Sequence, residues 1–419
     1  MLSIIDHKIE KAKEGTYYRL PFTVPEGAVS MTVRYSYSKS GKAVVDLGLM
    51  DEKERFLGWS GSAREEVTIG PTEATPGYFQ TPIRPGTWFI LVGAYHIPKP
   101  SLLVHYEIEF AESVPRWLAG DLHVHSTASD GKLSPFELGR LAKKKGLDFL
   151  AIADHNNYCE NFNLPKIPGL TFLPAVEWTH YKGHMNFYGV KAPFENSFIA
   201  NDLSDMQELI RQVKSRGALV SVNHPKCPLC PYLWNEESCF DMIEIWNGPM
   251  RKANTDAIRW WHQFLLDGRR IPVVGGSDYH RPKRIVRMAN PTTLVYSLSA
   301  SAEAICAAIR QGHSFITSSP KGPKLSVQME GIQFGDAVVK DPEREWRFRA
   351  EQLRPGCCLQ LITDQGIAAR KAQEKGSAEI VIKEGEWKFA YLKVVFSVGK
   401  LHWVRAISNP VYFDLAEDR

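Results

Sequence analysis

The sequence lacks the features typical of secreted, membrane and nucleic-acid-binding proteins. Seven cysteines in 419 residues are an odd number, which fits a reducing compartment better than a disulfide framework. No apolar run approaches the length of a membrane span, and the initial MLSIIDHKIEKAKEG carries charges where a signal peptide needs an apolar core. With 51 basic and 47 acidic residues, the net charge of +4 is too small to favour a nucleic-acid or membrane surface. We therefore expect a cytoplasmic protein, and we expect neither a membrane nor nucleic acid as its partner.

The chain is too long for one ordinary core, and its apolar pattern changes twice along the sequence. Residues 1 to 114 alternate apolar and polar side chains, as in LLVHYEIEF, which predicts a β-sandwich. From 115 to 320, short apolar runs alternate with helical patterns, which predicts repeated βα units in an open sheet or a closed barrel. From 321 to 419, stretches such as AEIVIKEG predict a second small β-sandwich. The expected fold is therefore multidomain α/β plus all-β.

One helix is signalled at both of its ends by the stretch SPFELGRLAKKKG. Ser134 is placed to cap the helix, Pro135 suits its first position, and Glu137 completes a capping box. Gly146 then suits the position just after the helix. We expect a helix that begins at Pro135 and ends before Gly146.

Two histidines and an aspartate lie close together in GDLHVHSTASDG. Residues two apart in a strand point to the same face, so His123 and His125 project together. Asp130 follows within a few residues. Taken alone, the pair is weak evidence for a metal site, and two hydrogen-bonded strand histidines would be the better interpretation.

Further ligand-type residues follow the later strands of the middle domain. They are His155, Glu177, His184, His224, Asp278 and His280, with His184 at the start of its apolar run. Strand ends converge on one face of a βα barrel, so these side chains are expected to meet. Six of the thirteen histidines belong to the combined set, which favours the metal site over scattered surface histidines.

The donor set narrows the metal and the chemistry. Imidazole and carboxylate without a required thiolate suit Zn²⁺, Mn²⁺ or Fe²⁺. Nine candidate donors are too many for one ion, so two or three divalent ions are expected, with Glu177 as the bridging carboxylate. Such clusters activate water for hydrolysis. Glu244, in an apolar strand, is a candidate for support behind the ligands.

The middle domain resembles the PHP superfamily, named for polymerase and histidinol phosphatase, over about residues 116 to 320. The matching motifs are DLHVHS with Asp130, ADHN, the glutamate of VEW, the GH of GHMNFYG, NHP and GSDYH, all in the family's order. The C-terminal RAISNPVYF and the flanking β domains look like those of the CehA/McbA branch. The resemblance implies a distorted βα barrel and a metal-dependent hydrolase, usually of phosphate esters.

The resemblance also implies how the ligands divide among the metals. It places one metal at His123, His125, Glu177 and Asp278, a second at His155, Glu177 and His224, and a third at Asp130, His184 and His280. Asp130 is either a weak ligand or a proton donor to the leaving group. We take Asp130, Glu177 and Asp278 as the catalytic residues.

A phosphorylated small-molecule substrate needs cationic partners. Lys226, Arg251 and Arg281 follow strand ends and are candidates, although they fit equally well as solvated loop charges. The alternative activity is hydrolysis of a carbamate, carboxylic ester or amide bond, and a third possibility is a binding protein with a vestigial site. The CPLC stretch, Cys227 to Cys230, fits plain loop cysteines beside His224, or alternatively a lid held by zinc or a disulfide.

Overall fold

The computed structural model describes residues 1–71, 73–112, 114–195, 197–234, 240–282, 285–399 and 401–415. The chain divides into two compact units, Met1–Pro115 and Arg116–Arg419. The division lies one residue from the boundary expected after residue 114. Within the described residues, no helix is long and apolar enough to cross a membrane.

The first unit is built from antiparallel strands. Its strands are β1 (Leu2–Glu10), β2 (Thr16–Val24), β3 (Ala28–Tyr37), β4 (Val44–Met50), β5 (Phe56–Gly61), β6 (Glu66–Ile69), β7 (Gly86–His96) and β8 (Ser101–Glu112). They form two four-stranded sheets, in the orders β1-β8-β3-β6 and β2-β7-β4-β5. Apolar side chains of both sheets, among them Val104 and Trp88, share one core. The alternation in LLVHYEIEF therefore marks the buried face of β8, as expected.

The second unit begins with mixed strands and helices. They are β9 (Arg116–Val124), α1 (Pro135–Lys145), β10 (Phe149–Ile152), β11 (Thr171–His180), β12 (Gly183–Tyr188), α2 (Leu203–Ser215), β13 (Leu219–Val222), β14 (Met242–Asn247), α3 (Lys252–Leu266), β15 (Val273–Gly276), β16 (Thr292–Ser297), α4 (Ala302–Arg310) and β17 (Ser314–Thr317). Short 3-10 turns cover Lys11–Lys13 and Ser40–Lys42 in the first unit and Cys159–Phe162 in the second. Helix α1 has the expected capping box between Ser134 and Glu137, and Gly146 adopts the left-handed conformation after it. The predicted helix is confirmed at both ends.

Strands β9 to β15 lie side by side in the order β15-β14-β13-β12-β11-β10-β9. Helices α1 and α3 each connect two parallel neighbours, but β12 is antiparallel to both β11 and β13. Only Tyr181 and Lys182 separate β11 from β12, whereas a parallel crossover needs a dozen or more residues. A uniform series of βα units was therefore the wrong expectation for this hairpin.

The sheet is not a closed βα barrel. In the described part of the chain no strand ladder joins β15 to β9, and the backbone hydrogen bonds between the two segments involve residues that follow β15. The Asp278 N–H donates to the His123 carbonyl oxygen at 2.8 Å, and the His125 N–H donates to the Tyr279 carbonyl oxygen at 2.9 Å. Strand β15 itself ends at Gly276 and pairs with β14.

The C-terminal strands extend this sheet. They are β18 (Lys324–Val327), β19 (Ala337–Val339), β20 (Glu345–Glu351), β21 (Cys357–Thr363), β22 (Gly366–Ala372), β23 (Ala378–Lys383), β24 (Phe389–Val398), β25 (Leu401–Ser408) and β26 (Val411–Asp414). Strand β17 pairs with β25, and β18, β20 and β23 form a separate three-stranded sheet. Strands on both sides of residue 320 thus share a sheet within one compact unit, and the expected domain boundary there stays a prediction.

Candidate metal centre

Five imidazole rings surround the buried carboxylate of Glu177 at the end of β11. Glu177 Oε1 lies 3.3 Å from His123 Nε2, 3.1 Å from His184 Nδ1 and 3.3 Å from His224 Nε2. Glu177 Oε2 lies 2.9 Å from His155 Nδ1 and 3.5 Å from His125 Nε2. Both oxygens therefore face several imidazoles, and each lies where a different cation could be held. This is the arrangement expected of a bridging carboxylate.

The electrostatics of the site keep Glu177 ionised. Burial alone would raise the pKa of Glu177, but the surrounding imidazoles, His123 foremost, hold it well below its ordinary value. Burial likewise acts to raise the pKa of Asp278, and His123 and His125 outweigh it and lower that pKa. The buried Glu177 carboxylate and the partly exposed Asp278 carboxylate thus remain anionic and available as donors near neutral pH.

Asp130 and Asp278 complete the cluster near the ends of β9 and β15. Asp278 Oδ1 lies 3.2 Å from His125 Nε2 and 3.7 Å from His123 Nε2. Asp130 Oδ1 lies 3.2 Å from His280 Nε2 and 3.6 Å from His155 Nε2. All nine expected ligands therefore belong to one continuous set of contacts.

The grouping of two histidines differs from the one that the family resemblance implied. His155 lies with Asp130, His280 and His125, while His184 lies with His224 and Cys230. The cause is the antiparallel direction of β12, which brings its first residues to the edge where β13 ends. There the Asn223 N–H donates to the His184 carbonyl oxygen at 3.0 Å, next to His224. The expected placement of His155 with His224, and of His184 with Asp130, was wrong.

Several buried nitrogen atoms of the cluster fit a role as metal donors. His123 Nε2 and both ring nitrogens of His125 are buried and have no hydrogen-bond partner among the described residues. Leaving polar atoms buried without partners is unfavourable, and a bound cation would satisfy them. The nitrogen and oxygen donors of the site suit divalent ions such as Zn²⁺, Mn²⁺ or Fe²⁺.

Glu244 supports the cluster from the next strand, β14. Its Oε1 lies 3.0 Å from His123 Nδ1, and its Oε2 accepts from the His224 N–H at 3.1 Å. The Asn247 side-chain amide donates to the same oxygen at 3.1 Å. A carboxylate on the outer nitrogen fixes the orientation of His123, so that Nε2 faces Glu177. The support expected of Glu244 is present.

Two further aspartates, which the sequence did not single out, hold the loops that carry ligands. Asp154 accepts from the Ser126 N–H at 2.7 Å and from the Ser129 hydroxyl at 2.6 Å. Ser129 is the residue just before Asp130. Asp121 accepts from the Ser277 N–H at 2.9 Å, just before Asp278. Burial raises the pKa of Asp121 to about 6. The sequence offered one signal for each of them: Asp154 is next to His155, and Asp121 lies two residues before His123.

The backbone is strained where two of the ligands leave their strands. His224 has φ of 30° and Asp278 has φ of 54°, in the left-handed region that side chains rarely adopt. Gly276, before Asp278, has no room for a side chain, because a Cβ there would lie 2.3 Å from the Cβ of His123. Strain of this kind persists where surrounding contacts hold it, and it clusters at functional sites.

A cavity of about 720 Å³ adjoins the cluster at His184 and Cys230. Its walls are largely apolar, and Lys182 is a positively charged side chain among the lining residues. The other lining residues are Asn156, Thr179, His180, Tyr181, Phe198, Ile199, Ala200, Asn201 and Leu229. Of the three expected substrate cations, none lines this cavity in the described structure. Lys226 is exposed with its Nζ 4.6 Å from the ring centre of Trp260, Arg251 is exposed before α3, and Arg281 is exposed beside His280.

Comparison with known proteins gives partial matches. No family model matches the chain. It is 28% identical over 146 residues to the uncharacterized protein MJ1587 of Methanocaldococcus jannaschii, which covers 31% of this chain and 82% of that protein. Over 46 residues it is 46% identical to the DNA polymerase/3'-5' exonuclease PolX of Bacillus subtilis, covering 11% of this chain and 8% of PolX. Over 36 residues it is 58% identical to a 5'-3' exoribonuclease of Haemophilus influenzae, covering 9% of this chain and 13% of that enzyme.

Solved structures with some likeness include a protein with a PHP-like domain and an endonuclease. One is a two-domain protein of Bacteroides vulgatus that contains a predicted PHP-like metal-dependent phosphoesterase; it is 18% identical with a TM-score of 0.41, covering 70% of this chain and 95% of that one. Another is the lesion-specific endonuclease PfuEndoQ of Pyrococcus furiosus, 18% identical with a TM-score of 0.37, covering 48% of this chain and 58% of that one. Both TM-scores are below 0.5, a level that does not establish a shared architecture. The chain is similar in sequence, over short stretches, to two nucleases.

Proposed function

We propose that this chain is a metal-dependent phosphoesterase that hydrolyses a phosphate mono- or diester with the help of two or three divalent ions. The observation that carries the proposal is the buried Glu177 carboxylate within 3.5 Å of five imidazoles. The local sequence similarity to two nucleases accords with phosphoester chemistry. The resemblance to the PHP superfamily and its CehA/McbA branch, and a cytoplasmic location, belong to the same proposal.

The donors divide into three groups in this proposal. They are His123, His125, Glu177 and Asp278; Glu177, His184 and His224; and Asp130, His155 and His280. Ions held there would supply an activated water and would polarise the ester oxygen under attack. Glu177 and Asp278 hold the ions, and Asp130 either helps to hold the outer ion or gives a proton to the leaving group. Its side chain is 57% exposed at the outer edge of the cluster, where substrate can reach it.

A second candidate activity is hydrolysis of a carbamate, carboxylic ester or amide bond. The apolar walls of the adjoining cavity favour it, because Phe198, Ile199 and Leu229 suit a substrate with an apolar body. Lys182 is the cationic side chain of that lining, and its Nζ lies 4.8 Å from the ring centre of Trp234. Ions that polarise a phosphoryl oxygen can also polarise a carbonyl oxygen.

A substrate panel separates the two activities. Full-length protein is freed of metal with a chelator and reloaded with Zn²⁺, Mn²⁺ or Fe²⁺. Hydrolysis is then followed with p-nitrophenyl phosphate, bis-p-nitrophenyl phosphate, p-nitrophenyl acetate and an aryl carbamate. We expect turnover of a phosphate ester that depends on added metal and is inhibited by inorganic phosphate.

The matched control is Glu177→Gln, which keeps the shape of the side chain and should be inactive with every metal. Turnover confined to the acetate or the carbamate would replace the first activity by the second. Metal-loaded protein that turns over none of these substrates would count against both.

A further inference from the structure

The CPLC loop brings two thiols against a ligand of the metal centre. Cys230 Sγ lies 3.5 Å from His224 Nδ1, within hydrogen-bond distance for sulfur, and 3.2 Å from Cys227 Sγ. Both cysteines are free and half-buried, and Leu229 between them is 93% exposed. The pair is therefore beside the site and also within reach of small reagents from solvent.

The two ring nitrogens of His224 face different partners. Nε2 lies 3.3 Å from Glu177 Oε1, on the side of the metal donors, and Nδ1 faces Cys230 Sγ. His123 is arranged in the same way, with Nε2 toward Glu177 and Nδ1 toward the Glu244 carboxylate. Cys230 thus occupies, for His224, the position that Glu244 occupies for His123.

Outer partners of this kind matter because they fix the ring orientation and the nitrogen that binds metal. We propose that Cys230 is a positioning residue for His224, and that Cys227 makes this support sensitive to thiol oxidation. The inference rests on the metal-binding part of the proposed function. It does not require that Cys230 touch a metal or a substrate.

Oxidation would remove the support by joining the two sulfurs. A two-electron oxidant such as diamide takes one hydrogen from each thiol, a sulfur–sulfur bond forms between Cys227 and Cys230, and the diazene becomes a hydrazine. The sulfurs must close from 3.2 Å to about 2.05 Å, which commits Cys230 to Cys227. A disulfide sulfur is a poor hydrogen-bond acceptor, so His224 loses its outer partner. Loss of such a partner typically weakens metal binding by roughly 10- to 100-fold.

The test measures Zn²⁺ affinity of the full-length protein by competition with a chromophoric chelator, before and after diamide. Four variants accompany the wild type: Cys230→Ala, Cys230→Ser, Cys227→Ala and, as a matched control on an exposed cysteine, Cys159→Ala. Wild type and Cys159→Ala should lose roughly 10- to 100-fold in affinity for one ion on oxidation and recover with a dithiol reductant.

The variants separate positioning from general damage. Cys227→Ala should bind Zn²⁺ as tightly as reduced wild type, and diamide should not change its affinity. Cys230→Ala should bind weakly with or without diamide. Cys230→Ser should recover part of the affinity, because its hydroxyl can accept from His224 Nδ1, whereas a purely structural loss would not be rescued in this way.

Each of the following results would overturn the inference. One is unchanged Zn²⁺ affinity in protein whose Cys227–Cys230 disulfide is proved by peptide mass spectrometry, or failure of that disulfide to form. Another is wild-type affinity in Cys230→Ala. A third is a thiolate-to-cobalt charge-transfer band in Co²⁺-loaded wild type, which would make Cys230 a direct ligand. Because affinity is measured without substrate, absence of hydrolysis would contradict the proposed function and leave this inference standing.

Discussion

Replacement of Glu177 by glutamine removes one charge from the centre of the cluster and changes little else. The amide keeps the volume of the side chain and one donor oxygen. Glu177 faces imidazoles through both carboxylate oxygens, with His155 Nδ1 2.9 Å from Oε2 and His184 Nδ1 3.1 Å from Oε1. Glutamine has only one oxygen, so it cannot act as an acceptor or metal donor toward both groups of imidazoles. We expect Glu177→Gln to bind fewer ions per chain and to lose nearly all hydrolysis at every pH.

The size of the effect follows from the distances. One unit charge at 3.3 Å, the separation of Glu177 Oε1 from His123 Nε2, contributes about 5 kcal/mol at an effective dielectric constant of about 20. Removing one partner from a buried charge pair costs about 3–5 kcal/mol in measured cases. A loss of about 4 kcal/mol corresponds to roughly a thousandfold weaker metal binding.

The assay is metal content by mass spectrometry together with kcat for the best substrate of the panel. Glu384→Gln is the matched control, because Glu384 is also buried and accepts from Trp346 Nε1 at 2.8 Å, outside the cluster. Glu384→Gln should keep its metal content whatever it does to stability. Full activity with undiminished metal in Glu177→Gln would refute the bridging role.

Three other predictions concern different parts of the molecule. Arg281→Ala and Lys226→Ala should raise KM for phosphate esters more than they lower kcat, and unchanged steady-state kinetics in both would remove them from the substrate site. Because burial raises the pKa of Asp121 to about 6, its contribution to stability is present at low pH and declines as pH rises from about 4 to 6. Metal-free wild type should therefore lose up to about 3 kcal/mol relative to Asp121→Asn across that window in urea unfolding, and parallel pH profiles would argue against a raised pKa. Deletion of residues 1 to 110 should leave metal content unchanged, and a folded truncation that binds no metal would count against the independence of the second unit.

Much of the site could be predicted because its ligands are local features of the sequence. His123 and His125 alternate along one strand, Glu177 directly follows an apolar run, and His155 and His224 each follow one after a single polar residue. Local rules also placed α1, since its ends are set by nearby residues, the Ser134–Glu137 capping box and Gly146.

What the sequence did not predict depends on how strands pair. The direction of β12 decides that His184 lies beside His224, and a periodic apolar run carries no information about strand direction. The same holds for β17 and β25, whose pairing joins the C-terminal strands to the middle sheet. Asp121 was passed over because its role is to bind the N–H groups of Ser277 and Ala289, more than 150 residues away in the chain.

Anomalous diffraction can show whether Glu177 bridges metal ions. Crystals of the full-length protein grown with Zn²⁺ are measured on both sides of the zinc absorption edge. If Glu177 bridges two ions, we expect one anomalous peak between Glu177, His123, His125 and Asp278, and a second between Glu177, His184 and His224. Zinc bound elsewhere on the protein, with no peak in contact with Glu177, would contradict it.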